Sequence, residues 1–473
     1  MKKLFVLFFV FCFAANTAYT GGIMTNTNQS ASYIRMPVRD ASLNIDAVYY
    51  NPAGLTSLPD GFHLSLNNQT ILQNRSIRND FNYLNHNEFE GSVTAPFFPG
   101  VYAAYKTGNL AVSFGFNPVG GGGGALYEDG LPSFEADVAG LVPMLSAYGV
   151  SGYRNDINFE GTSIFYGGQL GVSYAVNEVL SFYGGARYVI ANNSYEGYLR
   201  NIEVNTANVG WMRPGSYLRD VVAANLSGTE REIALATADV IDAATADIEV
   251  DAVQKGSAIT PVLGVSIRPG EQFNIGIKYE FITKLELENE TTIDGTILLD
   301  ETGRGMFPDG AKIRSDMPAM LSIGAGYQAT PELNLAAGFH YYFDRSADYG
   351  KTVGGVPVPN EEVIDNNFIE LAFGLEYNIT NSLLVSGGYL RTITGVNESY
   401  HSDLSHSLST HNFGVGGRYA INEMVAINLG FLMSFYDEDS RSFNKQVGET
   451  SVPVSEIYNR DNMVFAVGFD FSF

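Results

Sequence analysis

The chain ends in the stretch MVFAVGFDFSF, residues 463–473, and this stretch decides the fold class. Every second residue from Met463 to Phe473 is large and apolar, whereas most residues between them are small or polar. A period of two is the signature of a β-strand with two unlike faces. A strand of a soluble sandwich can have this pattern, and so can a membrane barrel strand with lipid on one side and a lumen on the other.

The same alternation recurs along the chain and favours the barrel. It is present in residues 110–117, 273–281, 333–343, 369–377 and 425–435. Charged residues in these segments fall on the small or polar face, as a lipid-facing exterior requires. The terminal Phe473 points the same way, because bacterial outer-membrane barrels commonly end in an aromatic residue.

Short turns alternate with longer connections between the predicted strands. The short turns lie at residues 107–109, 176–178, 268–271, 330–332, 380–382 and 421–423. Short turns on one side and long loops on the other are typical of a transmembrane barrel. Six turns join twelve strands, and a strand at about residues 62–73 and the last strand are added to them. We therefore predict an all-β, transmembrane antiparallel β-barrel of about 14 strands.

Composition excludes several other classes of protein. Acidic residues outnumber basic ones 51 to 27, which gives a net charge of −24 and no basic footprint for nucleic acid. The 31 Phe and 28 Tyr argue against disorder. Mean hydropathy is close to zero, and no segment after the first residues offers about 18 consecutive apolar positions, so a helical membrane bundle is excluded.

The first residues predict a compartment and a domain division. A basic start, an apolar run of about a dozen residues and small residues up to Ala18 are typical of a secretory signal peptide, which we assign to residues 1–18. Cys12, the single cysteine, lies within it, so the processed chain has no disulfide and no cysteine-ligated metal. We assign residues 19–60 to an N-terminal hatch and residues 61–473 to the barrel.

Two long insertions interrupt the strand pattern, at residues 119–158 and 206–256. The second contains the best helix candidate, Thr229 to Asp251, where Thr229 and Glu232 have the spacing of a capping box. Its apolar stripe fits an ordinary surface helix packed on its own loop. It fits equally an extracellular groove that collects hydrophobic ligands.

A short segment before the first strand contains Asn51-Pro52-Ala53-Gly54. Pro52 disfavours the helical conformation at Asn51, and an asparagine side chain can fix a tight turn through nearby backbone. The whole chain resembles the FadL family of outer-membrane transporters for long-chain fatty acids and other hydrophobic compounds. The resemblance rests on this segment, the strand count, the long loops and the terminal Phe473.

This resemblance implies a mechanism and a location. The N-terminal segment is expected to be a hatch inside the barrel, with gating residues Asn51, Pro52, Ala53 and Gly54. Hatch movement would connect a ligand pocket to a lateral opening at an inward kink of the third strand. Asn117, Pro118, Gly120 and Gly121 are the kink candidates, since proline removes a ladder donor and glycine admits bends. A flexible loop start is the alternative. The implied location is the outer membrane of a Gram-negative-type bacterium.

Inward-facing basic residues are candidates for contact with a ligand. The family's best-studied members place a basic residue near the fatty-acid carboxylate, and strand parity directs Arg187, Lys278 and Arg418 inward here. Their alternative role is to pair with inward carboxylates, for which the candidates are Glu280, Glu370 and Glu376.

Other functions remain open at this point. The sequence predicts a passive, non-enzymatic uptake channel. The alternatives are a general diffusion porin, a surface adhesin and a lipolytic barrel, and the last is compatible with His340, which is directed inward. His401, His406 and His411, spaced by five, match no recognised metal site. We expect no cofactor, a hydrophobic small molecule as ligand, contact with outer-membrane lipid and lipopolysaccharide, and a monomer.

Overall fold

The protein was described from a computed structural model, which defines residues 30–294, 307–353, 356–448 and 450–473. The predicted signal peptide and the first part of the predicted hatch, up to residue 29, lie outside these residues. Within the described ranges, no helix combines the length and the apolar composition needed to cross a membrane.

Fourteen antiparallel strands form the wall of a closed barrel. In chain order they are β1 Gly61–Asn79, β2 Glu88–Thr107, β3 Leu110–Tyr127, β4 Val150–Ala175, β5 Leu180–Thr206, β6 Ile248–Ile267, β7 Phe273–Glu280, β8 Met320–Gln328, β9 Leu333–Tyr342, β10 Ile369–Asn378, β11 Leu383–Ile393, β12 Thr410–Ala420, β13 Val425–Tyr436 and β14 Thr450–Ser472.

Each strand pairs with its neighbours in the chain, and β1 also pairs with β14, from His63–Ser472 to Asn79–Glu456. Closure leaves no free sheet edge, which a lipid environment demands because it offers no hydrogen-bond partners. The predicted fourteen-stranded transmembrane barrel is confirmed, and all six predicted short turns lie between consecutive strands.

The two faces of the wall differ as the alternation predicts. Large apolar side chains on the outer face are strongly exposed, among them Phe373 at 59%, Leu429 at 58% and Val415 at 55%. Their neighbours on the inner face are buried and polar, as Asn412 and Asn428 are. An exposed apolar band around a closed barrel is stable where lipid covers it.

The two long insertions are shorter than predicted. The glycines from Gly120 to Gly124 continue β3 and pair with β4, so the first insertion covers only residues 128–149. The prediction was wrong because glycines permit a bent strand as readily as a loop. The second insertion contains a helix, Gly228–Ala244, but the chain is a strand again from Ile248.

The predicted capping box is also absent, since Ser227 occupies the N-cap position and makes no side-chain cap bond. The predicted apolar stripe is only partly buried, because Ile241 is enclosed whereas Val240 is 46% exposed. The helix therefore packs along a narrower face than predicted.

The remaining elements extend the wall or lie in the long loops. Short strands lie at Gly210–Met212, Glu286–Ile293, Lys312–Arg314, Thr352–Val353, Val356–Pro357 and Asp439–Val447. Helical turns lie at Pro132–Ala139, Leu141–Leu145, Ser146–Tyr148, Pro214–Tyr217, Leu218–Val222, Ala223–Asn225, Asp344–Ser346, Asn360–Val363 and Glu398–Tyr400.

The N-terminal segment forms a plug inside the wall. We call residues 30–58 the plug. It comprises α1 (Ala31–Arg35), α2 (Ala47–Tyr50) and a 3₁₀ helix (Pro52–Ser57). Most of its residues are buried, and its helices contact strands on several sides of the barrel, including β1, β3, β4, β6, β12 and β13.

A belt of inward-facing glycines lets the plug lie against the wall. Every strand from β7 to β14 carries one of these glycines, and an added Cβ on any of them would come within 3.0 Å of a plug atom. The belt consists of Gly276, Gly324, Gly338, Gly374, Gly388, Gly414, Gly430 and Gly468. At Gly324 the obstructing atoms include the plug backbone, with the carbonyl carbon of Asp40 2.6 Å and the nitrogen of Ala41 2.7 Å away. The plug therefore fits only because the wall has no side chains at this level.

We expect Gly324→Val to destabilise the plugged barrel by about 1–3 kcal/mol, the usual cost of overpacking a tight core. The matched control is Gly387→Val, on the lipid face of β11, where the nearest atom to a new Cβ is 3.6 Å away. The temperature at which the folded barrel loses its fast gel mobility in detergent measures the difference. Equal melting of the two variants would contradict the tight fit.

Candidate functional site

The wall is interrupted between β2 and β3. Their ladder runs from Thr107–Leu110 to Val101–Phe116 and resumes only at Ser92–Leu126. We call the interval between residues 93–100 of β2 and 117–125 of β3 the gap. On their other sides both strands remain paired, β2 with β1 and β3 with β4.

Both edges of the gap carry residues that interrupt β ladders. Pro118 and Gly120 flank a register shift between β3 and β4, a second shift follows before Gly123, and Gly121 has a φ of +91°. The four candidate residues Asn117, Pro118, Gly120 and Gly121 therefore lie together along one edge of the gap.

The opposite edge was not predicted. Pro96 and Pro99 on β2 have no N–H to donate, and Phe97 between them is 81% exposed. The sequence contains a signal for this edge, since two prolines within four residues of one strand indicate that its ladder is interrupted.

An apolar cluster fills the space between the plug and the wall on this side. Val48 and Tyr49 of the plug belong to one buried cluster with Val119 of β3, Phe165 of β4 and Val189 of β5. Val119 lies within the gap segment of β3, so the cluster extends to the gap from inside. The gap is therefore backed by apolar side chains, and the cations of Arg187 and Lys278 lie on the far side of them, over the Tyr49 ring.

The Asn51 to Gly54 segment forms the turn that leads into the 3₁₀ helix. The side-chain amide of Asn51 donates to the Ser42 carbonyl at 3.0 Å, which closes a loop within the plug. A Cβ on Gly54 would lie 2.5 Å from that amide, so glycine is needed there. The Pro52 carbonyl accepts a 2.6 Å hydrogen bond from Ser173 of β4, which ties the turn to the wall.

Two of the three basic candidates hold the plug. The Arg187 guanidinium makes hydrogen bonds of 2.6 and 3.1 Å to the Glu280 carboxylate, and Lys278 Nζ lies 2.7 Å from the same group. Lys278 also donates to the Tyr49 carbonyl at 2.9 Å, and both cations lie over the Tyr49 ring. This geometry favours the alternative role, in which inward cations neutralise an inward carboxylate. Arg418 lies apart from them at the turn end of β12 and is partly exposed.

The plug carries its own basic residues into the wall, and the sequence analysis did not single them out. Arg35 and Arg39 both contact Glu376 of β10, at 2.8 and 3.2 Å, and Arg39 also binds Asp46 within the plug at 2.7 Å. These side chains are 90% or more buried. These two arginines lie in a segment with few other charges. Because a buried charge needs a partner, their presence could have predicted inward carboxylates on the wall.

A buried histidine joins the plug to the opposite wall. His340 of β9 contacts Asp40 of the plug through Nε2 at 2.7 Å and Glu370 of β10 through Nδ1 at 2.6 Å. Both ring nitrogens are occupied by carboxylates, so neither is directed at a serine nucleophile. His340 thus serves as a bridge rather than as the base of a lipolytic triad.

His401, His406 and His411 make different polar contacts, although the rings of His401 and His406 both pack against Tyr458. His401 contacts Asp439 at 3.0 Å, His406 contacts the Ser402 carbonyl at 3.4 Å, and His411 contacts the Tyr389 hydroxyl at 2.7 Å. In the part of the chain that the structure describes, no group of three or more His, Cys, Asp or Glu side chains could hold a metal ion.

A shallow groove lies on the long-loop end of the wall. Its enclosed volume is about 30 Å³, and its lining is mainly apolar, from Phe134, Phe159, Leu199, Ile248 and Val250. Phe134 belongs to the loop helix Pro132–Ala139. In the same helix, burial raises the pKa of Glu135, whose carboxylate accepts a 2.6 Å hydrogen bond from Tyr153. A ligand-collecting groove was predicted for the insertion at residues 206–256, and Ile248 and Val250 of this lining lie within those bounds.

Solved structures of other proteins share this fold, although no sequence comparison finds a match. No family model matches the sequence, and no curated protein matches it significantly. Among solved structures, a Pseudomonas aeruginosa FadL homologue has a TM-score of 0.65 at 14% identity over 96% of this chain and all of its own. The toluene transporter TodX of Pseudomonas putida has 0.56 at 16% over 91% of this chain and 94% of its own. The toluene transporter TbuX of Ralstonia pickettii has 0.56 at 16% over 95% and 99%. At these identities the likeness establishes the fold, which is that of FadL homologues.

We expect Glu376→Gln to lower the free energy of unfolding by about 3–5 kcal/mol, because it leaves Arg35 and Arg39 buried beside a neutral amide. The control is Glu290→Gln, which removes an exposed partner of Lys255 and should change stability by at most about 1 kcal/mol. Urea unfolding in detergent or lipid measures both. A Glu376 variant as stable as the control would show that the ion pairs of Arg35 and Arg39 with Glu376 do not hold the plug.

Proposed function

We propose that the protein is a passive channel of a Gram-negative-type outer membrane, which takes up hydrophobic small molecules such as long-chain fatty acids. The observation that carries the proposal is the gap in the wall, backed from inside by an apolar cluster that reaches the plug. A hydrophobic ligand that reaches this cluster can pass laterally through the gap into the lipid without crossing water. The neighbours in fold, named as a FadL homologue and as toluene transporters, support the same class of function.

In this proposal the route begins at the extracellular groove. An apolar ligand binds there by burial, worth about 0.8 kcal/mol per CH₂ group. It moves to the apolar cluster above and beside the plug, and then to the gap, where Asn117, Pro118, Gly120 and Gly121 keep β3 apart from β2. The ligand would be released into the outer membrane beside exposed Phe97.

The plug supports passive hydrophobic uptake better than general diffusion. A porin for polar solutes needs a wide wet lumen. Here Tyr33, Tyr50 and Tyr102 are each at most 2% exposed where plug and wall meet. We accordingly propose a hatch comprising residues 19–60, a barrel comprising residues 61–473 and a monomer in contact with outer-membrane lipid and lipopolysaccharide.

Movement of the hatch would be confined to its second half. Residues 31–41 lie against the glycine belt and carry the ion pairs to β9 and β10, which resist displacement. The 3₁₀ helix Pro52–Ser57 is held by single hydrogen bonds, such as those of Pro52 to Ser173 and Thr56 to Ser181. We propose that this half, with Asn51, Pro52, Ala53 and Gly54, opens the path to the gap.

Uptake into whole cells tests the proposed function. Expression of the protein should increase the rate at which a Gram-negative strain without its own outer-membrane channel for hydrophobic compounds takes up labelled oleate or toluene, and purified protein in planar bilayers should show no large steady conductance. High, steady conductance together with unchanged uptake would support the porin instead.

A disulfide tests the hatch. The side-chain oxygens of Thr56 and Ser181 are 2.8 Å apart, so Thr56→Cys with Ser181→Cys should form a bond in a chain whose only cysteine is Cys12. We expect uptake to fall at least fivefold in the oxidised double variant and to recover on reduction, with both single-cysteine variants as controls. Uptake that is the same before and after reduction would contradict movement of this half.

A further inference from the structure

Strand β2 is irregular on both of its sides beside the gap. Its ladder with β3 is interrupted there, and the register of its ladder with β1 shifts between Gln69 and Ile71. Within that shift Thr70 of β1 stands opposite two residues of β2, Pro96 and Phe97, which is the arrangement of a β-bulge. A bulge bends its strand and interrupts regular pairing. This bulge therefore shapes the edge of the gap that β2 forms.

Two side chains of β1 bind the backbone of the bulge. The Asn68 side-chain amide donates through Nδ2 to the Pro96 carbonyl at 3.2 Å, and its Oδ1 accepts from the Phe98 N–H at 3.1 Å. The Thr70 hydroxyl donates to the same Pro96 carbonyl at 3.1 Å. Asn68 thus gives this segment one donor and one acceptor, which in regular parts of the wall are supplied by the backbone of a paired strand.

Asn68 and Thr70 are polar residues on the lipid face of the wall. Asn67 and Gln69 are buried in the lumen, so strand alternation directs Asn68 and Thr70 outward. The partner of Thr70 on β14 is Phe465, which is 49% exposed and belongs to the apolar band. Polar groups are costly in lipid unless hydrogen bonds satisfy them. Both side chains direct their hydrogen bonds to the bulge of β2.

The bonds to the bulge compete with closure of the gap. Lipid offers no hydrogen-bond partners, so without Asn68 and Thr70 the Pro96 carbonyl and the Phe98 N–H need others. Across the gap lies the backbone of residues 117–125 of β3, which has no ladder to β2. Two arrangements of β2 are therefore available. In one its bulge is capped by side chains of β1, and in the other it pairs with β3.

We propose that Asn68 and Thr70 are positioning residues of the lateral route, which satisfy the bulge of β2, prevent its pairing with β3 and so hold the gap open. This rests on the proposed function and deepens it, because the gap is the exit in that proposal. The bends of β3 then set one edge of the exit, and the capped bulge sets the other. Plug movement controls access to the exit from inside and not the exit itself.

A distance between two spin labels on the purified full chain in nanodiscs tests the position of β2. Phe97→Cys on β2 and Ile190→Cys on β5 place the labels at exposed positions on opposite sides of β3. We expect Asn68→Leu to shorten the mean distance by up to about 5 Å, the spacing of paired strands. Thr70→Val, which removes only the hydroxyl bond, should shorten it less, and Thr70→Ser should leave it unchanged.

A matched control lies on the same strand. Asn74 is also exposed on β1, but its side chain donates to Asp461 of β14 at 3.3 Å, so Asn74→Leu should leave the label distance unchanged. Uptake of labelled oleate by cells, measured without the labels, should stay at the wild-type rate in this control. It should fall at least about fivefold in Asn68→Leu, the shift of a two-state equilibrium that one ordinary hydrogen bond accounts for.

The outcomes separate the positioning role from the proposed function. An unchanged label distance in folded Asn68→Leu and Thr70→Val overturns the positioning role, and so does undiminished oleate uptake by Asn68→Leu. The channel still stands in both cases if the wild type increases uptake. A wild type that increases uptake of no hydrophobic compound overturns the proposed function, whereas a shortened distance in the variants still supports the capped bulge. Retained heat-dependent gel mobility shows that each variant is folded, and Thr70→Val carries the test if Asn68→Leu does not fold.

Discussion

The backbone of the plug lies directly against the wall because the wall has glycine wherever the plug crosses β7 to β14. This close approach is the constraint on which the rest of the structure depends. A barrel of fourteen strands encloses more space than its own side chains fill, and here the plug occupies that space. With no side chains at this level, the plug comes close enough for its arginines and Asp40 to reach carboxylates and a histidine on the wall. The ion pairs between plug and wall therefore depend on the close packing that the glycines allow.

The charges of the plug have a structural consequence. Arg35 and Arg39 bind Glu376, Asp40 binds His340, and Glu280 binds two cations that lie over Tyr49. Buried ion pairs contribute little net stability relative to apolar packing, but each strongly disfavours states in which one partner is left alone. They therefore fix the position of the plug. The wall residues of these ion pairs lie on β5, β7, β9 and β10, whereas β2 and β3 contribute none, so the wall holds the plug more strongly on one side than on the other.

The side on which the wall holds the plug less strongly is the side of the gap. On the side of β2 and β3 the wall lacks ladder bonds, and the side chains behind the gap are apolar up to Tyr49, where Arg187 and Lys278 lie over the ring. A route for hydrophobic molecules needs an opening in the wall and an apolar lining at the same position, because desolvated charges along the route would bind polar groups instead.

The sequence by itself determined the architecture of the wall. Alternation with a period of two, short turns and the segment MVFAVGFDFSF specified the strands and their faces, since lipid and lumen impose opposite preferences on successive residues. Asn117, Pro118, Gly120 and Gly121 were identified on one edge of the gap, while Pro96 and Pro99 on the other were missed. Only the tertiary structure decided which inward charges meet. Arg187 and Lys278 were expected as ligand contacts or as ion pairs, and their partner Glu280 is distant from Arg187 in the chain but adjacent across the lumen. Parity tells which face a side chain is on, but distances across a barrel depend on closure, shear and the path of the plug, which no local pattern records.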